Sequence, residues 1–264
     1  MQRLVTALIL LPVVILTTLK GGVALFACLV SVFAFIGMRE FYRMALPERS
    51  GEGWLAAACG AALTLAPLFA GELLSRAIIA TMFLAFSLLF LFRIREIAAA
   101  AHEVALVALS FLYIPFLLMH LVWLRQSAHG IEWLFVIMLI VMTGDSAAYY
   151  TGSAFGKHRL YPLVSPKKSI EGALGGLLGS IAGVLLARFT FFPLLTITDV
   201  LLTAVFIGIL GQAGDLFESM LKRSFGVKDS GGIFPGHGGV LDRLDSILFA
   251  APATYYYAIY FFKG

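Results

Sequence analysis

Between Asp215 and Asp245 the sequence packs charge and glycine into a stretch flanked by two apolar runs: four Lys or Arg, five Asp or Glu, and one histidine, His237. Lipid does not solvate such a group, so these side chains must face water, a polyanionic ligand or a metal ion. Asp215, Glu218, Ser219 and Lys222 recur at i, i+3, i+4 and i+7, which places them on one stripe of a helix and calls for an aqueous cavity beside it. Asp242 and Asp245 return two carboxylates, three residues apart, to one face of the next helix. Between these helices, Gly231-Gly232 and Pro235-Gly-His237-Gly238-Gly239 are too rich in glycine for a helix, and they suit backbone amides wrapped around phosphate oxygens.

Two further groups lie upstream. Asp145 sits at the end of an apolar run, where a carboxylate costs about 2.5–3.5 kcal/mol unless it is paired or metal-bound. Tyr149 follows one turn later on the same face. The loop from Gly156 to Glu171 gathers Lys157, Arg159, Lys167 and Lys168. On topology alone it is an inside-positive loop, but Ser165-Pro-Lys167-Lys168-Ser169 directly precedes a predicted helix. Hydroxyls, free N–H groups and ammonium ions there combine into a phosphate site. Three or four aspartate oxygens with room for water and phosphate suit Mg²⁺, a hard cation held by few carboxylates. There is no Cys/His set with zinc spacing and no Walker A sequence, and His237 alone is a weak general-base candidate.

The elements that must position these residues follow from composition. Mean hydropathy is +0.96 and 13% of residues are charged, against about a quarter in a soluble domain. These values predict an all-α polytopic membrane protein of about nine transmembrane helices at ~20 residues each. The spans fall near 4–19, 22–38, 54–74, 76–92, 104–124, 131–153, 170–188, 198–221 and 246–262, with a polar, cytoplasm-facing cavity formed by the C-terminal half. The first apolar run follows Arg3, but no small-x-small cleavage site precedes the second, so it is read as a retained helix. With nine spans, Arg3, Arg39, Arg43, Arg49, Arg93, Arg95, Lys157, Arg159, Lys167, Lys168, Lys222, Arg223, Lys228 and Arg243 share the side of the N-terminus. Lys20, Arg76, Arg125, Arg188 and Lys263 lie opposite. This asymmetry predicts a cytoplasmic N-terminus and cytoplasmic late loops, and it accounts for the net charge of +4 without a nucleic-acid partner.

The chain reads as a single membrane domain, 1–264, with a composition shift near residue 143. Residues 1–140 are mainly apolar scaffold and dimer helices, and 141–264 hold the catalytic helices and loops. The run Gly172–Gly183 carries small residues at three- and four-residue spacing, read as close helix packing. Tyr255, Tyr256, Tyr257 and Tyr260 are read as an interfacial aromatic belt. Cys28 and Cys59 lie in apolar runs and are read as packing residues.

The residues Ser219-Met-Leu-Lys222-Arg223, Lys228-Asp-Ser-Gly231 and Phe234-Pro-Gly-His237-Gly238-Gly239-Val-Leu-Asp242-Arg243-Leu-Asp245 resemble the signature of the phosphatidate cytidylyltransferases, also called CDP-diacylglycerol synthases. Gly144-Asp145-Ser-Ala-Ala-Tyr149 and Val164-Ser165-Pro-Lys167-Lys168-Ser169-Ile-Glu171-Gly resemble that family's other polar stretches. The similarity spans roughly 140–262, and the first half resembles the family only in hydropathy. Two positions depart from it: Ser153, where a basic residue is common, and Ser169-Ile170, where Thr-Trp is common. The resemblance implies CTP and phosphatidic acid as substrates, CDP-diacylglycerol and pyrophosphate as products, Mg²⁺ as cofactor, a homodimer and the cell (inner) membrane. Whether a second cation such as K⁺ joins it is left open. Asp145, Asp215, Asp242 and Asp245 are then the candidate metal ligands. Lys167, Lys168, Lys222, Arg223 and Lys228 are candidate phosphate binders, with Arg243 beside the metal residues. Ser165, Ser169, Ser219, Gly238 and Gly239 contact substrate, and His237 with its glycines closes over pyrophosphate.

A transporter is the competing reading from another class, because intramembrane aspartate and broken glycine-rich helices also mark substrate pathways. A CTP-dependent lipid kinase would also use membrane carboxylates and Mg²⁺. A CDP-alcohol phosphotransferase needs an Asp-Gly-x-x-Ala-Arg opening, which is absent.

Overall fold

The computed structural model describes residues 2–69, 71–233 and 238–264. The chain runs α1 (Gln2–Lys20), α2 (Gly22–Ala45), α3 (Ser50–Leu65), α4 (Glu72–Leu91), α5 (Ile97–Phe111), α6 (Leu117–Gln126), α7 (Gly130–Phe155), β1 (Arg159–Tyr161), β2 (Ser165–Ser169), α8 (Ile170–Thr190), α9 (Ile197–Ser224) and α10 (Leu241–Tyr260). Helices occupy most of each predicted apolar run, but the run 54–74 is broken between α3 and α4 and the last run outlasts α10, which ends at Tyr260. Among the described residues, five stretches are long and apolar enough to cross a membrane: Gly22–Ala45, Ile97–Gln126, Gly130–Phe155, Ile170–Thr190 and Ile197–Ser224. Ile97–Gln126 joins α5 to α6 through a π-helical turn, Leu112–Phe116, that contains Pro115. Proline lacks an N–H and clashes with the preceding turn, and the wider turn absorbs both without ending the span.

The helices form two compact units, Met1–Trp123 with Asp229–Leu241, and Leu124–Lys228 with Asp242–Gly264. The composition shift near residue 143 lies inside the continuous helix α7, so it marks a change in chemistry and not a structural boundary.

In the first unit α2 and α3 pack through glycine. A Cβ on Gly53 would meet Tyr42 and the Arg39 guanidinium, and one on Gly60 would press on Met38 and Pro115. Met38, Phe41, Ala56, Leu63 and Ile114 are fully buried there. Arg49, 1% exposed, donates to both oxygens of Glu103 at 3.2 and 2.6 Å and to the Arg93 carbonyl at 2.9 Å, which ties the start of α3 to α5. These bonds hold the guanidinium in its charged form, and they turn a residue legible only as an inside-positive loop charge into a buried strut.

In the second unit α7 and α8 lie backbone to backbone. A Cβ on Gly176 would fall 3.1 Å from Ala148 Cβ, and one on Gly179 would fall 2.5 Å from Ala147 Cβ. The close approach lets Thr143 Oγ1 donate to the Gly179 carbonyl at 2.8 Å and Ser180 Oγ to the Ile140 carbonyl at 3.0 Å. The glycine-rich run is therefore packing, as its spacing indicates. Helix α9 joins through Gln212, whose Nε2 donates to the Ala173 carbonyl at 3.0 Å. At the other end of α9, Thr196 and Asp199 form a capping box, and the Tyr257 hydroxyl donates to Asp199 at 2.6 Å. Tyr255 is buried, so the tyrosine group of α10 is partly core and not wholly a belt.

Candidate active site

A cleft of about 610 Å³ opens within the second unit, walled by α7, the β1–β2 hairpin, α8, α9 and the first turn of α10. Asp145 and Tyr149 project from α7, Lys167 and Lys168 from β2, Asp215 from α9, and Asp242, Arg243 and Asp245 from α10. Local sequence explains each placement. Three-residue spacing puts Asp242 and Asp245 on one face of α10. The hairpin is held by antiparallel pairing of Arg159 with Ser169 and of Tyr161 with Ser165. Its base is fixed by Glu171, which accepts the N–H groups of Lys157 and His158 at 3.1 and 3.2 Å and lies 2.7 Å from His158 Nδ1. Ser169 is 4% exposed, and its Oγ accepts the Gly172 N–H at 3.1 Å. It therefore caps α8 at the cleft wall, leaving Lys167, Lys168 and Arg159 as the hairpin's cations toward a ligand.

The charges are matched across the cleft. Lys168 Nζ lies 2.5 Å from Asp215 Oδ2, with both side chains 29% exposed. Lys222 lies deeper, 2.5 Å from Glu218 Oε2, and also donates to Asp242 Oδ1. Asp145 lies within electrostatic range of Asp215, Lys168 and Arg243, and Asp245 within range of Asp215, Glu218 and Asp145. Four aspartates thus share one cleft with Arg159, Lys167, Lys168 and Arg243. Among the described residues no three His, Cys, Asp or Glu side chains stand close enough together to hold an ion, and Lys168 and Lys222 neutralise Asp215 and Asp242. The donors are nevertheless all carboxylate oxygens around a polar space, which is the chemistry a hard divalent cation takes.

Other predicted site residues lie off the cleft wall. Ser219 Oγ is 3.5 Å from Asp215 Oδ1. Arg223 is exposed, with Nη1 3.4 Å from the Val227 carbonyl, Lys228 is exposed, and Ser165 is half-buried on β2. Gly238, at φ 78°, and Gly239 belong to the first unit. His237 lies outside the described residues. Sequence reasoning passed over Glu218 as a site member, although the stripe contains it, and assigned no role to Glu40. Glu40 sits in Arg39-Glu40-Phe-Tyr-Arg43, where its flanking arginines make the segment look like an ordinary inside-positive loop.

Apolar spans around a cleft of matched carboxylates and cations define an integral membrane protein equipped to handle phosphates. A sequence model of the cytidylyltransferase family matches residues 1–261, and the chain belongs to that family; it is an enzyme, a nucleotidyltransferase. Similar proteins include the phosphatidate cytidylyltransferases of Staphylococcus epidermidis and Staphylococcus haemolyticus, each 35% identical over 260 residues, and that of Staphylococcus aureus, 34% identical over 259. Each comparison covers 95% of this chain and 95% of the relative. The likeness therefore extends through the first half, beyond the 140–262 region where the motifs lie.

Proposed function

We propose that the protein transfers the cytidylyl group of CTP to phosphatidic acid, giving CDP-diacylglycerol and pyrophosphate. The observation that carries this reading is the cleft of Asp145, Asp215, Asp242 and Asp245 faced by Lys167, Lys168 and Arg243. A phosphatidate oxygen attacks the α-phosphorus of CTP, a new P–O bond forms, and the bond to the bridging oxygen breaks with its electron pair leaving on pyrophosphate. The nucleophile is already ionised and needs no strong base. The barrier is the approach of two polyanions, and fixed cations lower it by positioning and charge neutralisation. Lys167, Lys168 and Arg159 on the hairpin suit the nucleotide phosphates, and Arg243 suits the phosphate nearest α10. Asp145, Asp215, Asp242 and Asp245 would hold Mg²⁺, which when bound neutralises phosphate charge and polarises the phosphoryl group. The same reading puts the enzyme in the cell membrane as a homodimer, with the cleft toward the cytoplasm, as the cation asymmetry of the loops favours. Membership of a transferase family disfavours the transporter reading.

The test is pyrophosphate release by the purified protein. Release that needs CTP, phosphatidate and Mg²⁺ together supports the proposal. No release, or release from CTP without lipid, removes it.

A further inference from the structure

Glu40, near the C-terminal end of α2, is 2% exposed. A carboxylate so buried requires partners for its charge. Its Oε1 accepts the Val240 N–H and its Oε2 the Leu241 N–H, each at 2.9 Å, and Ser230 Oγ donates to Oε2 at 3.2 Å. Gly231 and Gly239 lie against the same group: a Cβ on Gly231 would fall 2.5 Å from Oε1, and one on Gly239 would overlap it. Only glycine lets both chain segments approach the carboxylate this closely. All of these residues belong to the first unit.

One carboxylate thus grips both flanks of the glycine-rich segment. Leu241 is the first residue of α10, so Glu40 also supplies an acceptor for an N–H that has no partner inside the helix, and a negative charge at the positive end of the helix dipole. The first turn of that same helix carries Asp242 and Arg243, and Asp245 follows on the same face, three residues after Asp242. Apolar packing would hold a helix in place as firmly, but two charge-assisted bonds to successive N–H groups also fix the direction in which its first turn starts. We propose that Glu40 is a positioning residue for the transfer reaction. By holding Val240 and Leu241 it sets how Asp242 and Asp245 are presented. The kinetic part rests on the function proposed above, while the clamp itself can be tested without it.

The test uses Glu40→Gln in the full chain, purified in detergent. Glutamine keeps the volume but loses the charge and offers one oxygen where two N–H groups need acceptors. The expected loss in kcat per folded enzyme is about 10- to 100-fold, the size of one or two charge-assisted hydrogen bonds, with the KM for CTP changed less than about threefold. Combining it with Asp242→Asn separates positioning from general structural damage. If Glu40 acts through α10, the double variant is no slower than Asp242→Asn alone, whereas independent effects multiply and overturn the proposal. Amide hydrogen exchange over Val240–Asp245 should rise in Glu40→Gln, and unchanged exchange overturns the clamp whatever the activity. If Glu40→Gln does not fold, Gly231→Ala carries the same test by pushing Oε1 aside, with the same pattern expected. A wild-type protein inactive on CTP and phosphatidate would remove the function reading alone, and exchange would then decide on Glu40.

Discussion

Lys222→Met should destabilise the protein far more than the loss of an exposed charge. The Lys222 side chain is 11% exposed and its ammonium lies between Glu218, 1% exposed, and Asp242, 8% exposed. Removing it leaves two buried carboxylates without the cation between them, a loss that typically costs about 3–5 kcal/mol. At roughly 2–4 °C per kcal/mol for a chain of this size, the thermal midpoint should fall by about 6–20 °C. Arg95 and Glu48 form an internal control. Their contact is 3.5 Å and the side chains are 52% and 85% exposed, so Arg95→Ala should cost less than about 1 kcal/mol.

A fluorescence-monitored melt in detergent measures both variants. Adding Glu218→Gln to Lys222→Met should recover more than half of the lost midpoint, because it neutralises the more deeply buried carboxylate. A midpoint for Lys222→Met no lower than that for Arg95→Ala would refute the argument, as would a double variant less stable than the single.

Asp215→Asn and Asp242→Asn should each lower turnover by about 100-fold or more, since each removes charge from the cleft with little change of volume. Near-normal pyrophosphate release at saturating Mg²⁺ would take that residue out of the metal site. Lys167→Ala, on the cleft wall, should raise the apparent KM for CTP more than that for phosphatidate, costing about 1.5–3 kcal/mol in kcat/KM, whereas Arg223→Ala, off the cleft wall, should cost less than about 1 kcal/mol. Equal effects on both substrates would show one shared phosphate site. The loop after α9 should be cytoplasmic; Ser230 is buried against Glu40, so exposed Asp229 is the better position for a probe cysteine. Labelling of Asp229→Cys by an impermeant reagent added outside intact cells would reverse the topology.

The helices were legible because a run of apolar residues at lipid-spanning length has few alternatives to helix. Glycine spacing in α8 disclosed its packing face for the same reason: helix periodicity is local. The cleft was legible in part, because Asp145 and Asp215 stand within apolar spanning stretches where an unpaired charge is costly. What remained hidden depends on pairing between distant segments. Ser165–Ser169 has the composition of a phosphate loop, yet it forms a strand against β1, and the Ser169 hydroxyl is taken by its own helix. Glu40 meets Val240 and Leu241 across about two hundred residues, and no periodicity in either segment signals it.

That distance in sequence also concealed a difference between lysines that the motifs present as equivalent phosphate binders. Lys168 pairs with Asp215 where both side chains are 29% exposed, so water screens the bond and parting it costs little. Lys222 is held between two carboxylates nearly closed to solvent, and withdrawing it would strand both. A polyanionic substrate can therefore draw Lys168 from its aspartate with the binding energy of a single phosphate contact, while the same exchange at Lys222 would cost more than such a contact supplies. The exposed pair is the one suited to open when substrate arrives. The buried one is suited to keep Asp242 in place while it does.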